Sequence, residues 1–314
     1  MKKRVVVTGA TGFVGSHLVN ALLEKGYEVF VISRLESDFS SLKKIDEPHI
    51  FRYSGDIIQM VSFFKEIQPI GVFHLASKFI AEHKTEEVDT LINSNILFST
   101  QLLEAMKEAN VKNLINTGTS WQYYNNDDYN PVCLYAATKQ AFEAIIEYYI
   151  QAEDFKVITL VLFDTYGQND TRPKLMNLLK KVATEGTALE MSAGEQQLSL
   201  VHISDVCRAF ILAFELLETQ QLNEHKHYSV SSDEIYSLKE IVQIFEQQTN
   251  KKLNITFGKR PYRKREVMKV WDKGEKLPNW KTEISLAEGI NLYKSNSKKL
   301  EESIATFVKN EINN

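Results

Sequence analysis

A β-branched run followed at once by three closely spaced glycines constrains this chain more than any other feature. Val5-Val6-Val7 leads into Thr8-Gly9-Ala10-Thr11-Gly12-Phe13-Val14-Gly15, and Phe13, Val14, Leu18, Ala21 and Leu22 then recur at the spacing of one helix face. That order predicts strand, tight turn, helix. Glycine permits a turn other residues resist and lets backbone approach a pyrophosphate, while a helix N-terminus offers free N–H groups to its charge. These are the demands of a dinucleotide site.

The same rhythm continues through the first half. Strands are expected at Glu28–Ile32, His49–Tyr53, Gly71–Leu75, Asn113–Thr117 and Val157–Phe163, and helices at Gln59–Ile67, Asp89–Ala109 and Tyr135–Gln151. Alternation of this kind predicts an α/β fold, a Rossmann-type doubly wound parallel sheet covered on both faces. Right-handed crossovers then bring the loops at the strand C-terminal ends toward one crevice. Beyond Gly167 the rhythm breaks, with helices expected again at Tyr236–Gln248 and Leu286–Tyr293. The expected organisation is a dinucleotide-binding domain over 1–166, with a return segment at about 198–232, and a smaller substrate lobe over 167–197 and 233–314.

Composition narrows the function classes. The 314 residues are 43% hydrophobic and 25% charged, enough for a large core. A formal charge of -4 argues against nucleic acid or an anionic membrane as partner. Cys133 and Cys207 form no disulfide framework and lack metal-ligand spacing, so no metal is expected and a reducing cytoplasm fits. Lys2-Lys3-Arg4 has the charge of a leader, but the apolar run behind it stops at Val7, and no segment approaches the ~20 apolar residues that span a bilayer.

Tyr135-Ala-Ala-Thr-Lys139 carries the chemistry. Residues four apart share a helix face, so Lys139 is expected beside the Tyr135 phenol, where its charge would favour phenolate and draw the pKa toward neutrality. Such a group exchanges a proton with an alcohol or ketone.

The N-terminal glycine motif, His74-Leu75-Ala76, Thr119, Tyr135-x-x-x-Lys139 and Val201-His202-Ile203-Ser204-Asp205-Val206 together resemble the extended short-chain dehydrogenase/reductases over nearly the whole chain. Within that family the tone is that of nucleotide-sugar 4-epimerases, 4,6-dehydratases and 4-ketoreductases. The resemblance implies Thr119, Tyr135 and Lys139 as catalytic residues. It also implies a cofactor site built from Gly9, Thr11, Gly12, Phe13, Val14, Gly15, Ser33, Arg34, Asp56, Ile57, Leu75, Ala76, Ser77, Thr117, Tyr135 and Lys139. Asp56 matches the family's adenine-contacting acid, and equally suits a helix cap.

Two positions bear on the reaction. An NAD-preferring site offers an acid at the end of the second strand, whereas this chain has Ser33-Arg34, which suits the 2′-phosphate of NADPH; NAD is the alternative. The 4,6-dehydratases carry Asp-Glu after the active-site Thr, where this chain has Ser120-Trp121, so elimination of water lacks its acid and base. The expected function is NADPH-dependent reduction of the C4 ketone of a nucleotide-diphosphate 4-keto-6-deoxy sugar, with subgroup similarity to reductases of CDP-linked 3,6-dideoxyhexoses. The alternatives are an NAD-dependent 4-epimerase and a catalytically inert NADP-binding regulator.

Substrate contacts are expected from Lys78, Thr119, Ser120, Trp121 and Asp164, with Arg172 and Arg263 as diphosphate ligands, Arg260 and Arg265 flanking the latter. Leu198 occupies the place of another arginine common in the family. His74 and His202 read as packing residues, as does Cys133, for which the alternative is a thiol facing the sugar as an acid for C5 epimerisation. A homodimer is implied, paired through the Asp89–Ala109 and Tyr135–Gln151 helices.

Overall fold

The computed structural model describes residues 2–42, 44–219 and 224–292. In chain order its strands are β1 (Arg4–Thr8), β2 (Glu28–Arg34), β3 (Ile50–Tyr53), β4 (Gly71–His74), β5 (Asn113–Thr119), β6 (Lys156–Leu162), β7 (Asp164–Tyr166), β8 (Leu189–Glu190), β9 (Gln197–His202), β10 (Lys226–Val230), β11 (Ile235–Ser237) and β12 (Ile255–Thr256). Its helices are α1 (Phe13–Glu24), α2 (Ile57–Ile67), α3 (Val88–Ile92), α4 (Phe98–Glu108), α5 (Leu134–Glu153), α6 (Leu175–Glu185), α7 (Ile203–Thr219) and α8 (Leu238–Thr249). Residues 286–292 are also helical, and Tyr293, the expected end of that helix, lies outside the described residues with the rest of the tail.

The chain divides into two compact units, the first comprising Met1–Phe163, Val206–Val230 and Lys269–Lys281. Its centre is a seven-stranded sheet in the order β10-β6-β5-β4-β1-β2-β3, with every neighbour parallel. Chain order reverses between β1 and β4, so the loops that follow these two strands open at the switch point where α/β sheets bind ligands. Both faces are covered. Val6, Phe30, Ile32, Val72, Leu114 and Val157 meet α2, α4 and α5 through Phe64, Leu102, Phe142 and Ile146. Side chains of this size, fully buried, contribute ~1.5–3 kcal/mol each. On the α7 side, Phe214 packs against Phe73 at 4.9 Å between ring centroids, and a side chain at Gly71 would collide with it.

One expected helix is interrupted. The pattern predicts a continuous helix over Asp89–Ala109, but a π-helical turn, Asn93–Leu97, separates α3 from α4. Such turns insert one extra residue and rotate the succeeding residues about the helix axis. Here the turn carries the buried Asn95 inward.

The second, smaller unit comprises Asp164–Asp205, Ser231–Met268 and Thr282–Asn314. The strand expected to return to the main domain near 198 is β9, and it pairs instead with β7 and β11 in a separate three-stranded sheet. Of the expected return segment, Val206–Val230 counts with the first unit, carrying α7 from Val206 and then β10. The expected helix start at Tyr236 is also displaced, because Tyr236 sits in β11. Ser237 then caps α8 in a capping box with Glu240, which sets the start at Leu238. Tyr166, Leu179, Leu200, Ile241, Phe245 and Ile290 form this unit's core.

Candidate active site

Unit 1 presents the glycine loop as a cradle made of backbone. Gly9 has φ +69, and a Cβ there would lie 2.6 Å from Ala76 N; at Gly15 it would lie 2.1 Å from Gly9 O. No side chain larger than hydrogen fits at either position. The Gly12 N-cap supplies no side-chain bond and the first turn of α1 has no acidic residue, so the helix N-terminus keeps its positive field for an anion. Thr11, Phe13 and Val14 lie along this turn. The hydroxyl of Thr8 ties the loop after β4 in place, accepting from Leu75 N at 3.2 Å and Ala76 N at 3.1 Å. Thr117 donates to His74 O at 2.8 Å.

At the end of β2, Ser33 is buried and its hydroxyl has no partner among the described residues, whereas the Arg34 side chain is 78% exposed and 3.9 Å from Glu36. An orphaned buried hydroxyl beside a free-reaching guanidinium fits a polar ligand such as a ribose phosphate. Asp56 caps α2, accepting from Ile58 N at 2.8 Å and Gln59 N at 3.4 Å, the second of the two roles its position allowed; Ile57 follows it.

The reacting groups gather around α5. Tyr135, Thr138, Lys139, Phe142, Glu143, Ile146 and Ile150 form one inward stripe, so the packing that buries Ile146 also aims Lys139. The Ser77 and Thr119 side chains face the Tyr135 phenol, and each acts to lower its pKa. Thr119 is the last residue of β5, and its Oγ1 accepts from Trp121 N at 3.4 Å in the turn Ser120–Gln122. Phe79 borders the phenol edge-on at 5.0 Å and Trp121 at 5.5 Å.

The electrostatics differ from the sequence expectation. Burial raises the Tyr135 phenol to about 12, reinforced by Cys133 and opposed by the Ser77 and Thr119 hydrogen bonds. Lys139 contributes no lowering. Burial instead brings Lys139 itself down to about 8, with Glu143 pulling it back up. The i, i+4 spacing puts the two residues on one helix face, and desolvation is the largest influence on each. Burial thus favours the neutral form of the phenol.

Asn95 escaped the sequence reading. Its Oδ1 accepts from Lys78 N at 2.7 Å and Ser77 Oγ at 3.4 Å, and its Nδ2 donates to Lys78 O at 3.0 Å and Thr138 Oγ1 at 2.9 Å. It braces the β4 loop against α5. An asparagine at helical spacing between Leu91 and Leu102 was the available signal. The Lys78 side chain is exposed. His74 is a buried core residue between Thr8 at 2.8 Å and Ser99 at 2.9 Å, its pKa lowered to about 3 by burial and by Lys139. Both cysteines are free thiols, with Cys207 buried and raised to about 12. Among the described residues, no cluster of His, Cys, Asp or Glu could hold a metal and no helix is long and apolar enough to cross a membrane.

Within unit 2, burial raises Asp164, opposed by Lys174, Arg263 and Arg172. The expected phosphate ligands already hold carboxylates. Arg172 binds Asp170 through Nε at 2.7 Å and Nη2 at 2.8 Å, and Arg263 binds Glu266 at 3.0 and 2.8 Å.

The glycine cradle lies at the switch point of the sheet, and the helix carrying Tyr135 and Lys139 belongs to the same unit. The model of the NAD dependent epimerase/dehydratase family matches residues 5–231. The chain belongs to that family. Among family relatives, the CDP-abequose synthase of Yersinia pseudotuberculosis is 28% identical over 84% of this chain and 90% of its own. The UDP-glucose 4-epimerase of Corynebacterium glutamicum is 25% identical over 78% and 80%. The family fold is shared with the UDP-glucose-4-epimerase from Stenotrophomonas maltophila solved with bound NAD, at TM-score 0.82 and 21% identity over 96% of this chain and 99% of that one.

Proposed function

We propose that this family member is an NADPH-dependent ketoreductase acting on the C4 ketone of a nucleotide-diphosphate 4-keto-6-deoxy or 3,6-dideoxy sugar in the cytoplasm. The observation that carries the reading is the Tyr135 phenol facing Ser77 and Thr119, with the buried Lys139 one turn on along α5. Likeness to CDP-abequose synthases supports the sugar class.

The glycine loop, Ser33, Arg34, Ala76, Ser77, Thr117 and Lys139 would hold the cofactor, which when bound supplies a hydride to C4. Thr119 and Tyr135 would orient the carbonyl oxygen, and Tyr135 would give it a proton as the hydroxyl forms. Ser120, Trp121 and Lys78 would border the sugar. Arg172 and Arg263, with Asp164 beside them, are proposed for the diphosphate, exchanging one anionic partner for another.

An NAD-dependent 4-epimerase is the second reading, favoured by the 4-epimerases among the relatives. Absorbance decay of NADPH and NADH with 4-keto-6-deoxy sugars linked to CDP, dTDP, GDP and UDP separates the two. Stoichiometric oxidation supports the reductase; interconversion of parent sugars with none supports the epimerase. A homodimer through α3–α4 and α5 is also proposed, since Ile92, Leu97 and Tyr148 are exposed on these helices. Light scattering at the monomer mass would remove that part.

A further inference from the structure

Glu143 has no part in that reaction, yet it sits on the inward stripe of α5 one turn beyond Lys139 and is only 4% exposed. A carboxylate buried to this degree stays ionised only with donors and a countercharge in reach. Two donors are present. Gln122 Nε2 gives a hydrogen bond to Oε1 at 3.1 Å, and His227 Nε2 lies 3.3 Å from Oε2.

Both partners lead elsewhere. Gln122 is fully buried and its Oε1 accepts from the backbone N–H of Thr119 at 2.9 Å, so the side chain that holds Glu143 also fixes the residue beside the phenol. His227 lies on the edge strand β10 with its side chain 35% exposed. Its ring is 4.0 Å from that of His225, which binds the Thr159 hydroxyl at 2.7 Å.

The titratable groups facing Glu143 are Lys139 on its own helix, Tyr123 from the segment after β5, and His227 backed by His225. Burial and the nearby carboxylate push the Tyr123 phenol upward, and burial with His227 keeps His225 well below the ordinary imidazole value. From β5 and β6, Gly118 and Thr159 approach without charge. Lys139 is thus a cation facing Glu143 beside His227; burial opposes its charge and Glu143 favours it.

We propose that Glu143 is the positioning residue of the catalytic pair: held by Gln122 and His227, its carboxylate keeps the buried Lys139 charged and, through Gln122, fixes Thr119. This rests on the reading of Lys139 and Thr119 as reaction groups. Glu143 touches no substrate. It acts through the two residues that do, and His227 supports it by donating to the carboxylate.

The test reads the Lys139 proton directly. Protein labelled with 15N-lysine is titrated by NMR, with the Lys139 signal assigned from a Lys139→Arg variant. Glu143→Gln, which keeps shape and removes charge, is expected to lower the Lys139 midpoint by about one pH unit or more, roughly a tenfold loss of proton affinity. His227→Phe should move it the same way, and His227→Gln, which retains a donor, should not. An unchanged midpoint in Glu143→Gln overturns the proposal. If that variant does not fold, His227→Phe, altered at a part-exposed edge position, decides by the same criterion. The basic limb of kcat/KM with a substrate found by the NADPH assay should follow the midpoint. Absence of any turnover would count against the ketoreductase reading, while the titration would still judge Glu143.

Discussion

Asn95 Nδ2 lies 2.9 Å from Thr138 Oγ1, and Thr138 in turn donates to Tyr135 O at 2.7 Å, so the π-helical turn is bonded directly to the backbone that carries the phenol. The same asparagine holds Lys78 and Ser77. Its loss leaves several buried groups without partners.

Asn95→Ala is therefore expected to destabilise the fold by ~1–3 kcal/mol in denaturant unfolding. It should also lower kcat more than it raises KM, because the β4 loop and α5 lose their common brace. A variant with unaltered kcat would show that the brace is only structural.

Tyr135→Phe removes the proton donor and leaves the ring in its place. Turnover should fall by ~10²–10⁴ while cofactor affinity changes only a few-fold. Fluorescence titration with NADPH beside steady-state rates checks both halves. Equal activity would end the assignment of Tyr135.

Replacing Arg34 tests the choice of cofactor. Arg34→Ala should weaken NADPH by about tenfold, the worth of a charge-assisted hydrogen bond at an exposed site, and leave NADH nearly unaffected. Parallel losses for both cofactors would mean that the guanidinium does not meet a 2′-phosphate.

Lys139 links pH to stability with a definite sign. Its proton is held to about 8 in the folded chain against an ordinary 10.5, so the unfolded chain binds more protons between those values. Stability should rise as pH increases through that window, and the full penalty, about 3 kcal/mol, is present below pH 8. Lys139→Met should flatten the rise. Urea midpoints at pH 7 and pH 9 for both proteins measure it, and identical slopes would show that the lysine is not the cause. Activity should move the other way, declining as Lys139 loses its charge above pH 8.

Much of the sheet was legible because most strands of unit 1 hold a short apolar run bounded by turn residues, as in Val5-Val6-Val7 before Thr8-Gly9; β10, Lys-His-Tyr-Ser-Val, holds none and was not expected. The cradle was legible for the same reason, since Gly9 and Gly15 stand where backbone crowds backbone. The π turn was not, because its extra residue is set by what Asn95 bonds and not by the local sequence. Nor was the membership of β9, which depends on the partners β7 and β11 and not on its own alternation. The Tyr135 pKa had the wrong expected direction because spacing reveals neighbours but not how far water is excluded. Glu143 and Asn95 stand out only after the inward stripes of their helices are known.

Unit 1 is assembled from three separated stretches of chain, and this has a consequence for its synthesis. The first 163 residues bring six sheet strands, ending with β6, whose outer partner β10 is not made until residue 226. Trp271, which stacks on Tyr123 at 3.9 Å beyond the turn that begins at Ser120, comes later still. A nascent chain thus carries β6 as an open edge through the translation of more than sixty further residues, the circumstance in which strands find wrong partners. Changes confined to the second unit can in this way lower the yield of the first without altering a single one of its reacting groups.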